Sequence, residues 1–330
     1  MWLWEEDAEP DSDRKPNRDA DLSSDVRRLR SWFSEARKRN PEWIFGYGRG
    51  WTPFSTDAYP LILLNSDATA YWSLPSSWQR RLRPIDQLPV RLRELLGSPE
   101  TKLTLFTLAV PEPEASFKVT DVFDSLRPIR NGVLCLKTGR IGSTGATVKL
   151  SDGSLGVVTA GHVLPFGEGS AVSSVNGLSF WNRTKPFGTV EHHSVPIGTT
   201  AGWDAAIIRP STQLELPKRA KTRWPSVRNG QELTYARGAR SGFVDTAVLI
   251  AGLEEIEASP LSWSCCWLIG PPTALTAGDS GAAVFVRETN ELLGTYVGVS
   301  KVGSGTPHAA YVQDAESLQQ NLLKKWNVSF

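Results

Sequence analysis

Three short motifs stand along the chain in a fixed order. They are Thr159-Ala160-Gly161-His162, Gly202-Trp203-Asp204-Ala205-Ala206 and Thr276-Ala277-Gly278-Asp279-Ser280-Gly281. Each alone is ordinary: a histidine after a strand, an aspartate at a strand start, a glycine-rich turn. Together they constrain the fold, because only a chain that returns repeatedly to one place can unite them. A serine hydroxyl is a weak nucleophile at neutral pH and needs a base, and the base needs a partner that orients it. Ser280 is therefore the expected nucleophile, His162 the expected base and Asp204 the group that holds the imidazole tautomer. The glycines beside Ser280 permit a tight turn in which backbone N–H groups converge. The N–H groups of Gly278 and Ser280 are the expected donors to an oxyanion.

The flanks read as β-structure. Residues 156–159 lead into His162, 205–208 follow Asp204, 282–286 follow Ser280, and 293–300 form a further apolar run. Residues 133–136 and 146–150 add strand patterns, and Ser151-Asp152-Gly153 is a hairpin turn. On these motifs, residues of about 128–318 resemble the chymotrypsin-like, or trypsin-like, serine peptidase family. The resemblance implies a mostly β fold of two antiparallel six-stranded barrels, with His162, Asp204 and Ser280 in the cleft between them. It implies Gly278 and Ser280 as the oxyanion hole, Asp279 as a lock on that loop, and Arg237 to Gly242 as a turn opening a strand. Thr273, Ala274, Val299 and Ser300 are the expected substrate pocket. Two positions depart from the family pattern: Ala282 replaces a glycine, and Ala274 stands where trypsin-like members carry an acid. Ala274 argues against an Arg or Lys preference and for a small or apolar side chain. Arg140-Ile141-Gly142 imitates an activation site but lies too close before His162, and is read as a turn between strands.

Charge excludes some partners. Lys and Arg number 36 against 35 Asp and Glu, so no overall field favours nucleic acid or a membrane surface. No apolar run is long enough for a membrane span, and the start, Met-Trp-Leu-Trp-Glu-Glu-Asp, does not read as a secretory signal. Cys135, Cys265 and Cys266 form no disulfide framework, which points to a cytoplasmic setting. None of them has the context of a catalytic thiol. The adjacent His192 and His193 point to opposite faces of a strand, so no metal site is expected there. His308 reads as a surface-turn residue, and no cofactor is expected.

Ahead of the peptidase-like region, residues 1–20 are polar and expected to be disordered. Ser23-Ser24-Asp25 offers helix caps, and Val26, Leu29, Trp32, Phe33 and Ala36 follow at helical spacing up to Pro41. The opposite face, with Arg27, Arg28, Arg30, Arg37 and Lys38, reads as solvated. An aromatic-rich stretch follows. Its Gly46-Tyr47-Gly48-Arg49-Gly50 lacks the frame of a phosphate loop. Residues 61–64 and 102–110 read as strands, and 81–96 as short helical pieces. The expected division is a small α+β module over 21–110, a Pro/Glu linker over 111–127, and a peptidase domain over 128–330. The expected function is a serine endopeptidase acting on protein or peptide substrates. Its N-terminal module would regulate or target it through a protein partner, an arrangement that resembles peptidases of bacterial defence systems. The alternatives are a catalytically silent binding scaffold on the same fold and an esterase using the same residues.

Overall fold

The computed structural model describes residues 18–39, 42–51, 57–66, 82–97, 99–115, 118–119, 132–135, 139–175, 184–211, 230–236, 244–270, 278–302 and 306–330. The first layer comprises α1 (Arg18–Arg39), β1 (Ile44–Trp51), β2 (Ala58–Asn65), β3 (Arg83–Pro84), α2 (Val90–Leu96) and β4 (Phe106–Val110). Leu29, Phe33 and Ala36, spaced by four and three, lay one stripe of α1 on Ile44, Tyr47, Ile62 and Leu64, with Leu92 and Leu96 of α2 beside them. The leucine, isoleucine and phenylalanine side chains among them each contribute about 1.5–3 kcal/mol on burial. Leu61 and Leu63 face the opposite way into the main core. Residues 61–64 are continuously apolar because both faces of β2 are covered.

The helix begins earlier than its serines suggest. Asp25 is not a cap. It is fully buried inside α1, and its carboxylate accepts the Lys102 and Leu103 N–H groups, both at 2.9 Å. Arg18, Asp19 and Ala20, expected in a disordered stretch, open α1, and residues 1–17 lie outside the described part.

The chain continues through β5 (Pro113–Ala115), β6 (Lys118–Val119), β7 (Gly132–Cys135), β8 (Arg140–Ser143), β9 (Thr147–Lys149), β10 (Leu155–Thr159), β11 (Ala171–Val175), β12 (Thr184–Ser194) and β13 (Ala205–Pro210). Part of the expected linker is thus the strand β5, and the remainder lies mostly outside the described residues. Arg140-Ile141-Gly142 is not a turn but part of β8, with Ile141 buried. Between β8 and β9 the Gly145 N–H donates to Val158 O at 2.6 Å and the Val158 N–H to Ala146 O at 3.0 Å, so the two form one interrupted side. Around that side the antiparallel pairings close a ring: β7 to β8, β9 to β10, then β13, β12, β11 and back to β7.

The second ring uses β14 (Glu232–Ala236), β15 (Val244–Ala258), β16 (Leu261–Gly270), β17 (Ala283–Val286), β18 (Leu292–Val302) and β19 (Thr306–Asp314). It closes as β14, β17, β18, β19, β16, β15 and back to β14, all antiparallel. The fold is mostly β, with two closed six-stranded antiparallel barrels. After β19, Asp314 caps α3 (Ala315–Leu318) by accepting the Ser317 N–H at 2.8 Å, and a wider π turn follows over Gln319–Leu323. Leu318 and Leu323 pack this end against the two barrels' shared core.

The first layer is joined to the second barrel by its sheet. β1 pairs antiparallel with β15. A Cβ on Gly46 would sit 2.5 Å from Glu255 O, and one on Gly48 would sit 2.2 Å from Gly252 O. The glycine-rich stretch is therefore a strand pressed against another backbone, which is why it carries no side chains there. Arg37 of α1 also pairs with Glu257 of β15.

Candidate active site

His162 and Asp204 come from neighbouring strands of the first barrel. β10 and β13 pair with Thr159 opposite Ala206, so the turn after β10 meets the residue before β13. His162 lies in the short 3-10 turn Gly161–Val163 that ends β10. Gly161 is obligatory here: a Cβ on it would stand 2.1 Å from Ser194 O. The Asp204 carboxylate is fully buried and takes three donors. Its Oδ1 accepts the His162 backbone N–H at 2.8 Å. Its Oδ2 lies 2.5 Å from His162 Nδ1 and accepts Trp263 Nε1–H at 3.0 Å. A buried carboxylate needs such partners to stay charged. The contact at Nδ1 leaves Nε2 as the nitrogen that can act as a base. Arg140 Nη1 donates to the His162 carbonyl at 2.7 Å and fixes the turn from β8.

Two of these partners carried no motif. Trp263, on β16, and Gln313, on β19, both come from the second barrel. Gln313 Oε1 accepts the Asp204 N–H at 3.0 Å, while its Nε2 donates to Gly202 O and Ser264 O, each at 3.2 Å. Both residues are almost wholly buried. They reach Asp204 only through strand pairing, so no local pattern marks them. Gly298 shows the same geometry from the other side: a Cβ there would stand 2.2 Å from the Trp263 ring.

Ser280 comes from the second barrel in a turn before β17. Gly278 has φ 103° and Gly281 φ 97°, in the left-handed region that favours glycine. The turn is docked on the first barrel. Ser143 donates its N–H to Ser280 O at 2.7 Å and its Oγ–H to Gly278 O at 3.0 Å. A Cβ on Gly281 would lie 2.1 Å from Ser143 O and 2.3 Å from Thr159 Oγ1. One on Gly142 would meet both Val163, at 2.6 Å, and Ser280 O, at 2.7 Å. Ser280 is thus held beside the residues flanking His162. Asp279 is fully buried within this turn.

The expected pocket residues fall differently. Thr273 and Ala274 lie outside the described residues, as does the stretch 237–242. Val299 faces the second barrel's core. The Ser300 hydroxyl is buried between Pro111 O and Tyr311 OH, both at 2.7 Å. His192 stacks on Trp326 with ring centres 5.0 Å apart, and His193 Nε2 lies 3.1 Å from Gly161 O. The side chains of Cys135 and His308 are outside the described part. Burial pushes the Cys265 thiol up to about 11 and the Cys266 thiol well above its usual value, so neither is a thiolate at neutral pH.

No protein-family model matches the chain, and no curated protein matches it. Among solved structures it is similar to Nocardiopsis protease NAPase, at 19% identity over 61% of this chain and 97% of that one, with a TM-score of 0.44. It is also similar to Thermobifida fusca protease A, at 16% identity over 61% and 96%, with a TM-score of 0.44. A third is Cellulomonas bogoriensis chymotrypsin, at 16% identity over 62% and 97%, with a TM-score of 0.42. Among the described residues, no helix is long and apolar enough to cross a membrane.

Proposed function

We propose that the chain is a serine endopeptidase that hydrolyses peptide bonds of protein or peptide substrates. Ser280 attacks the carbonyl carbon, and His162 Nε2 takes the hydroxyl proton and later gives it to the leaving amine. Asp204 keeps the imidazole in the tautomer with hydrogen on Nδ1 and stabilises the imidazolium. The N–H groups of Gly278 and Ser280 receive the oxyanion. The observation that carries this reading is the Asp204 carboxylate, which bonds both the His162 ring and the His162 backbone in a turn against which the Ser280 turn is docked. A structural histidine has no need of so many converging groups. The first layer, joined to the second barrel through β1 and β15, is the natural place for control by a protein partner. The test is turnover of peptide libraries and matched esters by the full chain, beside Ser280→Ala. Peptide cleavage lost in Ser280→Ala supports the reading. Ester turnover alone would make it an esterase, and turnover unchanged by Ser280→Ala would refute it.

A further inference from the structure

The edge of β18 beside Ser280 is already occupied by the chain itself. On one side β18 pairs with β19 from Gly294 to Val302. On the other, β17 pairs with Leu292, Gly294 and Thr295, and the Gly281 N–H still reaches Tyr296 O at 2.8 Å. There the backbone leaves the ladder through the serine turn. β5 takes its place: Ala115 pairs with Gly298, Glu114 with Val299 and Pro113 with Ser300.

The polarity of β5 is that of a substrate. It runs antiparallel to β18, from Ser300 towards Gly298, so its carboxyl end points to the serine turn. A peptide that gives its acyl group to Ser280 must bring its carbonyl carbon to the hydroxyl while the preceding residues trail behind. An extended peptide added to this edge by main-chain pairing would lie as β5 does.

The segment is tied at several points. Ser300 Oγ donates to Pro111 O at 2.7 Å, and Glu114 pairs with Lys301. Ala115 packs against the main core. Three residues after Ala115, Lys118 pairs with Ile141 of β8. Three residue steps span at most about 11 Å. β5 on the second barrel and β6 on the first are therefore close together, and Ile141, the partner of Lys118, adjoins Gly142, which abuts Val163 and Ser280. Ser280 is 0% exposed and His162 3%.

We propose that Pro113–Ala115 is an internal strap that competes with substrate for the acyl-side peptide edge, so that the full chain works below its full rate until the strap is displaced. The proposal rests on the serine-peptidase reading. The strap suits a switch: it is three residues long, and Pro113 has no N–H to give the ladder, so its pairing is weak. Such short edges open at low cost in free energy.

The test uses the full chain and its variants, with melting curves to confirm an intact fold. Glu114→Lys sets an ammonium against Lys301. The rate of fluorophosphonate labelling at Ser280, and turnover of a small peptide ester, should rise about fivefold, the scale of an exposed ion pair made repulsive. Adding Lys301→Glu should return both to the wild-type rate. Replacing Pro113, Glu114 and Ala115 with Gly together should raise them further. Equal rates in the wild type, Glu114→Lys and the triple-Gly variant would overturn the strap and leave the peptidase reading standing. No labelling in any of them would overturn the peptidase reading and the strap with it.

Discussion

The first barrel supplies His162 and Asp204 from the ends of two paired strands, joined by side-chain and backbone hydrogen bonds of 2.5 and 2.8 Å. The second barrel supplies Ser280 from a turn whose shape depends on Gly278 and Gly281 and which is docked on Ser143 and Thr159. One half is set by side-chain chemistry, the other by backbone that only glycine follows comfortably. The halves are also unequal in support. Asp204 leans across on Trp263 and Gln313 of the second barrel, and among the described residues the sheet of the first layer extends the second barrel alone, through β1 and β15. The geometry of the first barrel's pair thus depends on the second barrel remaining intact.

That dependence can be broken at graded points. Ser280→Ala should lower turnover by about 10⁶-fold, and His162→Ala by a similar amount, measured with the best peptide found. Gly281→Ala should come next. Its Cβ meets Ser143 O and Thr159 Oγ1 far inside contact distance on a backbone with φ 97°, so the serine turn must shift. A misplaced nucleophile costs about a hundredfold or more, with the hydrogen bonds between His162 and Asp204 left in place. Trp263→Phe keeps most of the ring and removes only the N–H given to Asp204. Bonds to charged groups are worth about 1.5–3 kcal/mol, so kcat should fall roughly ten- to a hundredfold with KM little changed. The same loss from Trp263→Phe in KM alone would show that it does not act through Asp204.

The smallest effect concerns stability of the first barrel alone. Arg209 of β13 bonds Glu191 at 2.8 Å and Asp152 at 2.7 Å. Hydrogen bonds from Ser154 and Arg209 hold the Asp152 carboxyl well below the usual range, and Arg209 lowers Glu191. Their folded values lie below the unfolded ones. The contribution is therefore fully present above the usual carboxylate range, begins to fall within it, and is lost only as pH drops through the lowered folded values. Arg209→Met should destabilise slightly at pH 7 and less so at pH 3, by melting temperature at both pH values. A larger effect at pH 3 would contradict the assignment.

What was legible in the sequence, and what was not, follows the same division. The residues of the site stood in local frames, Thr-Ala-Gly-His and Gly-Asp-Ser-Gly, because strand ends and tight turns impose local chemistry. The β-character of the flanks followed from their apolar runs. Trp263 and Gln313 were silent because their role arises from pairing between distant strands. Gly46 and Gly48 offered only a stretch without the frame of a phosphate loop, yet they mark a close approach of β1 to β15. Pro113 and Glu114 suggested a solvated linker, since proline and charge are typical of linkers and of strand edges alike. Asp25 suggested a helix cap because its partners, the N–H groups of Lys102 and Leu103, are remote in sequence.

Activation of Ser280 as a nucleophile by the pair His162 and Asp204 can be read directly. Its most direct measurement is mass mapping of the fluorophosphonate adduct on the full chain and on Glu114→Lys, each with and without His162→Ala. A single adduct on Ser280 is expected in both, lost when His162 is replaced. An adduct on another residue, or labelling of Ser280 that is indifferent to His162, would contradict it.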